Sequence, residues 1–290
     1  MKYEFPQNIR SSFEGYNVFI DFYNKTDDIF FDEIILDLKN TTWIEANLSA
    51  ILGAILNKIE NELNDVKIIN PSDKIEKLLE RNHFLSNFGG YKIPDIYETT
   101  IKYRKFKTTE EKLFKEYLDR ELLSKEAMPE MSTLLRKKIN ESIFEIFNNA
   151  IIHGNCKNIF SCGQYYRTKK RLDFTIVDLG RTIKSNVKDY VNQDISGKDA
   201  IKWAIAEGNT TKLGEIPGGL GLSLIREFLG KNNGKIQIVS EDGYWEQKGC
   251  NEREECFSQI FPGTIVNLEF NIDDKSYYYL LSEINEDEIF

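Results

Sequence analysis

One segment, residues 141–154, restricts the fold more than any other part of the chain, because its helical pattern is apolar over most of its surface. Glu141, Glu145, Asn149 and His153 recur at steps of four residues and form a single polar stripe. A mostly apolar helix needs a core around it, and its polar stripe has to face something. The stripe is either a solvent-facing edge or a site where a carboxylate and a carboxamide, one turn apart, face a common ligand.

The composition indicates a folded chain of about two domains, since 290 residues are available and a domain takes roughly 150. With 41% hydrophobic residues, 18 Gly and 6 Pro, the chain is neither disordered nor collagen-like. The net charge of −9 lacks the broad positive field of nucleic-acid binders. Apolar runs are too short for a membrane span, and the N-terminus lacks an apolar signal core. We therefore expect a cytoplasmic protein that binds neither nucleic acid nor membranes.

Strand-like and helix-like patterns alternate in the first 90 residues. Helix caps are available at Ser72 and Asp73. This alternation predicts an N-terminal β-α-β-α domain over residues 1–90. The individual predictions are strands at 16–23, 33–38 and 66–70, a helix over 48–63, and a second helix after Ser72 or Asp73.

Gly89, Gly90 and Pro94 interrupt this pattern and place a domain boundary near residues 88–98. Residues 91–290 are predicted to form a second domain of helices and a mixed sheet, which ends in an acidic tail. Its predicted helices cover 113–123, 131–152 and 220–229, and its predicted strands cover 158–166, 171–178, 235–240 and 264–271.

A basic run at residues 102–107 interleaves cations with Tyr103 and Phe106. Such a run is compatible with nucleic-acid contact, but a solvated strand face is the more common explanation. We therefore interpret it as a solvated strand face.

Three further motifs join the polar stripe. An apolar strand ends at Asp178, and Gly180 follows it, so that a hydrogen-bond acceptor lies beside a position of close backbone approach. Glycines at 218, 219 and 221 lead into a helix, whose free N–H groups suit a polyphosphate. Thr264 follows a glycine at the start of the last strand and is placed to support the same pocket.

The ordered set Glu-x3-Asn-Ala, Asp-x-Gly, Gly-x-Gly-Leu and Gly-Thr resembles the GHKL ATPase superfamily over about residues 98–271. That superfamily includes gyrase-type topoisomerases, large heat-shock chaperones, mismatch-repair MutL proteins, histidine kinases and anti-sigma-factor serine kinases. The resemblance implies a two-layer α/β sandwich, the Bergerat-type ATP-binding fold, with ATP under a mobile lid at residues 183–217. GHKL members often dimerise, so the resemblance allows a homodimer.

The resemblance also implies roles for individual residues. Asn149 would bind Mg²⁺, Asp178 would accept from the adenine amine beside Gly180, and Thr264 would lie near the adenine. Glu145 would activate the attacking water. The phosphates would be wrapped by Gly219, Leu220, Gly221 and Leu222, and Lys212 in the lid would reach the γ-phosphate on closure.

The chain departs from the family pattern at Thr182, which stands where the Asp-x-Gly-x-Gly motif has its second glycine. The lid hinge or the adenine pocket must therefore accommodate a β-branched residue.

The N-terminal unit resembles a STAS domain, the fold of anti-sigma-factor antagonists. In phosphorylated antagonists a serine precedes the central helix, whereas Glu45 and Ala46 stand at that position here. A docking role, or a permanently phosphorylated-like one, therefore fits this unit better than a phospho-acceptor role.

These observations favour an Mg·ATP-binding regulatory switch that hydrolyses ATP slowly through Glu145 and acts on a protein partner. A protein serine/threonine kinase acting on a separate STAS protein is one alternative. A non-catalytic module that uses ATP only to dock a partner is the other.

Overall fold

Helices and strands alternate through the first 81 residues of the protein. The computed structural model describes residues 1–206, 208–209 and 220–283, with the side chains of Leu220 and Gly221 not included. The elements of this first unit are β1 Lys2–Glu4, β2 Asn8–Ile9, α1 Phe13–Thr26, β3 Glu33–Asp37, β4 Trp43–Ile44, α2 Ser49–Asn61, β5 Asp65–Ile69 and α3 Asp73–Arg81.

Strands β1, β3 and β5 form a parallel sheet, with β3 in the centre. The connections between them are α1 and α2, as parallel strands require a crossover. Strands β2 and β4 form a separate short parallel pair. The predictions of strands at 33–38 and 66–70, of the helix over 48–63 and of the helix after Ser72 are confirmed.

The predicted strand at 16–23 is wrong, because these residues belong to α1. The helix begins after Ser12, whose side chain accepts a hydrogen bond from the Gly15 N–H. Tyr16, Phe19, Ile20 and Tyr23 are buried at helical spacing. The aromatic and β-branched residues of this segment favour strands, but burial of one helical face outweighs that preference.

The second unit is built on a five-stranded antiparallel sheet in the order β6-β7-β8-β10-β9. Residues 88–99 before it contain no helix or strand. Its elements are β6 Thr100–Lys107, α4 Glu111–Tyr117 with a π-helical continuation at Leu118–Leu123, α5 Thr133–Ile152, β7 Asn158–Tyr166, β8 Arg171–Asp178, α6 Ile183–Val191, α7 Gly197–Ile205, α8 Leu220–Lys231, β9 Lys235–Lys248 and β10 Asn251–Asn271.

The helices and strands predicted for this unit are present, but two of its features were not predicted. Strands β9 and β10 extend as a long hairpin beyond the predicted segments 235–240 and 264–271. Its polar sequence between residues 246 and 255 gives no apolar alternation. Helix α6 also lies in a segment that was interpreted only as lid.

Both faces of the large sheet are covered. Phe174 and Ile176 of β8 pack into the core formed with α4, α5 and α8. Val177 of the same strand packs, with Phe160 and Ile265, into the core that contains α1 and α2. The molecule is thus a mixed α/β protein with parallel and antiparallel sheets, whose two units share one of its cores. No helix in the described parts of the chain is long and apolar enough to cross a membrane.

Candidate functional site

A pocket lies between α5 and the face of the large sheet that α5 covers, and α6 and α7 also contribute to its walls. Five of the residues to which the resemblance assigns a role line it, namely Glu145, Asn149, Asp178, Leu222 and Thr264. These residues come from two helices and two strands. The fold therefore brings together side chains that are up to 119 positions apart in the sequence.

Helix α5 supplies the polar wall of the pocket. Glu145, Asn149 and His153 line it, whereas Glu141 is exposed and pairs with Lys138 at 2.7 Å. The polar stripe is thus divided: its last three members face the pocket, and its first faces solvent. His153 is also the C-cap residue of α5, and its N–H bonds to the Asn149 carbonyl at 2.9 Å.

Asp178 ends β8 on the opposite wall and is buried. Its Oδ1 atom has no hydrogen-bond partner. Burial raises the pKa of Asp178 to about 8, because the charged carboxylate loses its hydration. Because Oδ1 has no partner within the protein, it is available to accept a hydrogen bond from a ligand.

Thr264 lies directly opposite Asp178 in the β8–β10 pairing. Its Oγ1 atom is 3.2 Å from the hydroxyl of Ser240 on the neighbouring strand. Ile176, Val266 and Ile238 stand side by side on the same three strands and line the pocket. The sheet therefore offers an apolar floor with Asp178 and Thr264 at one end.

The backbone passes closely around Asp178 at three glycines. A Cβ atom at Gly180 would lie 2.2 Å from the Gly154 carbonyl oxygen, and one at Gly263 would lie 2.1 Å from the Asp178 carbonyl oxygen. A Cβ atom at Gly154 would lie 3.0 Å from Asp178 Oδ1. Gly180, expected beside the nucleotide, thus packs against backbone and is not among the residues that line the pocket.

Thr182 is accommodated without strain. It is the N-cap residue of α6, with φ −75° and ψ 158°, and its Oγ1 atom accepts a hydrogen bond from the Ser185 N–H. The same hydroxyl lies 2.6 Å from Glu241 Oε2. This backbone conformation needs no glycine, so a capping residue replaces the flexible one.

Two helices of the segment interpreted as a lid cover part of the pocket. Val187 of α6 and Trp203 of α7 line it. Asn186 of α6 donates from its side chain to the His153 carbonyl at 3.0 Å, which connects the lid to the end of α5. Asn186 and Arg181 also line the pocket, and the sequence analysis missed both. The only signal for Arg181 is its position directly after the Asp-x-Gly motif.

The predicted phosphate-binding segment is described only in part. Lys212, Gly218 and Gly219 lie outside the described residues, as do the lid positions 207, 210–211 and 213–217. Leu220 and Gly221 are described as backbone in the first turn of α8. Leu222 lines the pocket.

The side-chain oxygens on one wall of the pocket suit a cation such as Mg²⁺, whose remaining ligands would be water and phosphate oxygens. The described residues contain no group of three or more His, Cys, Asp or Glu side chains placed to hold a metal ion. Asn149 and Glu145 nevertheless supply side-chain oxygens to one wall of the pocket. Mg²⁺ is commonly held by one or two protein oxygens together with water and substrate phosphates, and this arrangement is compatible with that pattern.

Comparison of the sequence with known protein families finds no family model that matches, and comparison with curated proteins finds no match.

Proposed function

We propose that this pocket binds Mg·ATP and hydrolyses it slowly, in a GHKL-type domain joined to a STAS-like N-terminal unit. The observation that carries the proposal is the buried Asp178 carboxyl group, which has an oxygen without a partner. A buried acceptor is stabilised when a ligand donates to it. The exocyclic amine of adenine is such a donor, and the apolar floor beside Asp178 suits a planar purine.

The wall formed by α5 would serve the phosphate end of the ligand. Asn149 would offer its amide oxygen to Mg²⁺, which when bound neutralises phosphate charge. Glu145, one turn earlier on α5, would take the proton of the attacking water as general base. The first turn of α8, with Leu220 and Gly221, would present backbone N–H groups to the phosphates.

The lid helices would close when nucleotide is bound, and a protein partner in the cytoplasm would recognise the closed form. Trp203 belongs to α7 and lines the pocket, so its environment would change when a ligand enters.

The test of binding is a titration of the protein with Mg·ATP, followed by tryptophan fluorescence and by calorimetry. We expect saturable binding, with the fluorescence change absent in Trp203→Phe but the calorimetric binding retained. Above pH 8 the Asp178 carboxylate can only accept hydrogen bonds. GTP carries an oxygen where ATP carries the amine, so at that pH it should bind at least about a hundredfold more weakly. Asp178→Asn should narrow this difference. Equal binding of ATP and GTP by the wild type would contradict the assigned role of Asp178.

The test of hydrolysis is phosphate release by Glu145→Ala beside the matched variant Glu141→Ala, one turn earlier on the same helix but outside the pocket. Loss of a general base typically lowers a rate by 10²–10⁴-fold. We expect a loss of about a hundredfold or more in Glu145→Ala with ATP binding retained, and an unchanged rate in Glu141→Ala. If the wild type binds ATP but releases no phosphate, the ATPase assignment fails. Label transferred from γ-labelled ATP to protein would then identify a kinase.

A further inference from the structure

A second cavity runs along β6, on the side of the molecule where the first unit meets the large sheet. His83 and Asn87, which follow α3, line one part of it. We call this cavity the basic groove and define it by its six cationic side chains, Lys92, Lys102, Arg104, Lys105, Lys107 and Arg120. Such a concentration of positive charge is unusual in a chain whose net charge is −9.

The cations of the basic groove outnumber the acids beside them. Glu121 pairs with Lys102 at 3.4 Å and with Arg120 at 3.0 Å. Within the described part of the chain, Lys92, Arg104, Lys105 and Lys107 form no ion pair. Glu110 also lines the groove, and Lys105 interacts electrostatically with Glu60, so these two carboxylates offset part of the charge. The four cations outside ion pairs still outnumber them and remain available to an anionic ligand.

The floor of the basic groove is the edge of a sheet. Among the described strands β6 pairs only with β7, so no strand of the described residues lies on its other side. Two positions on that side already form hydrogen bonds. The Tyr103 N–H donates to the Asn82 carbonyl at 2.7 Å. The Lys107 N–H donates to the Glu110 carboxylate at 2.9 Å, and the Glu110 N–H donates to the Lys107 carbonyl at 3.0 Å.

Lys105 lies between these two positions on the same side of the strand. In an antiparallel ladder, alternate residues direct both backbone groups away from the neighbouring strand. Both backbone groups of Lys107 point away from β7, as their hydrogen bonds to Glu110 show. Lys105 lies two residues earlier in the same regular register, so its backbone groups also point away from β7. The N–H and C=O groups of Lys105 are thus open to an added strand.

The aromatic residues of β6 do not favour nucleic acid. Single-stranded nucleic acid is usually held by bases that stack on exposed aromatic rings. Tyr103 and Phe106 are only 5% and 1% exposed, so neither offers a stacking surface.

We propose that the basic groove binds an extended acidic segment of a partner protein. The segment would pair its backbone with Lys105 at the edge of β6 and direct its carboxylates towards Lys92, Arg104, Lys105 and Lys107. Addition of a strand to a free sheet edge is a recurring mode of peptide recognition. This assignment does not depend on nucleotide binding in the other pocket.

The test is fluorescence polarisation with a fluorescein-labelled seven-residue peptide of alternating Glu and Val, on the full chain. We expect saturable binding that weakens as salt is added, because the attraction is largely electrostatic. Lys105→Glu should weaken binding by about tenfold or more, since it places like charges together. Lys112→Glu is the matched control: it makes the same charge change on α4, outside the groove, at a side chain that is 90% exposed. It should bind like the wild type.

Three further measurements examine the mode of binding and the occupant of the groove. A peptide of the same sequence with N-methylated central residues should bind about tenfold more weakly, because it cannot pair as a strand. Equal binding of the two peptides, equal weakening in both variants, or no binding by the wild type would overturn the proposal. Tighter binding of a single-stranded oligouridylate of equal charge would overturn it in favour of RNA. Stronger peptide binding after removal of residues 284–290 would assign the groove to the chain's own acidic end rather than to a partner.

Discussion

At the scale of single residues, Asp178 links the candidate site to the stability of the protein. Its pKa is raised to about 8 by burial, whereas an unperturbed Asp has a pKa near 3.9. Between these values the folded protein holds a proton that the unfolded chain has released. The free energy of unfolding therefore falls as the pH rises through this window.

We expect Asp178→Asn to remove this dependence. The free energy of unfolding of the wild type, relative to that of Asp178→Asn, should fall by up to about 4 kcal/mol between pH 5 and pH 8. Urea denaturation of both proteins across that range measures the difference. If the free energies of unfolding of the two proteins changed with pH in parallel, Asp178 would titrate normally in the folded protein. Its carboxyl group would then not be the desolvated acceptor on which the proposed adenine contact depends.

At the scale of secondary structure elements, Arg226 of α8 connects the lid to the long hairpin. Its guanidinium donates to the Ile205 carbonyl at the end of α7 (2.8 Å) and lies over the Trp245 ring, 4.9 Å from the centroid. It also contacts Gln247 and Glu252, each at 3.2 Å. One side chain thus holds the C-terminal end of α7 against α8 and the hairpin.

We expect Arg226→Met to loosen α7 without disturbing α5. Amide hydrogen exchange should become about tenfold faster within Gly197–Ile205 and stay unchanged within Thr133–Ile152, because only the former loses its attachment. The control is Lys202→Met, which removes an exposed ion pair with Glu254 at the same interface. Such pairs contribute little, so its exchange should resemble the wild type. Uniform acceleration in Arg226→Met would show a general loss of stability instead.

At the scale of the whole molecule, the two units are joined through a buried polar interface as well as a shared apolar core. Glu45 is buried against the large sheet, where it accepts from the Ser11 N–H at 2.8 Å and pairs with Lys169 and Arg171. Burial raises its pKa, but Arg171, the Ser11 N–H and Lys169 together hold the pKa below its usual range. Asn47 donates to Thr175 and Asn267 of the sheet at 3.0 and 3.1 Å.

We expect Glu45→Ala to destabilise the whole molecule. Removal of one partner from a buried ion pair costs up to about 3–5 kcal/mol. The cost lies towards the lower end here, because Arg171 keeps its ion pairs with Asp173 and Glu269. In Glu45→Ala the unfolding transitions measured by tryptophan fluorescence and by circular dichroism should coincide and move together to lower denaturant concentration. The control Glu33→Ala removes an exposed pair with Lys67 and should cost under about 1 kcal/mol. Two separate transitions in the wild type would contradict joint folding of the units.

The sequence by itself determined the elements whose apolar spacing has one interpretation. Helices α2 and α5 and strands β7 and β8 have clear periods, and the motif residues on α5, β8 and β10 could be grouped by their order along the chain. Local periodicity is enough here, because each pattern buries one face whatever lies opposite. The placement of Glu145, Asn149, Asp178 and Thr264 around one pocket agrees with that grouping.

Other features depended on contacts between distant residues, and only the tertiary structure decided them. The aromatic segment of α1 became a helix because its partners are α2 and the large sheet. The desolvation of Asp178 and the pairing of Glu45 with Arg171 arise from chain segments far apart in sequence. The open edge at Lys105 likewise follows from which strands lie beside β6. Burial and charge compensation are properties of the assembled surroundings, and local sequence does not contain them.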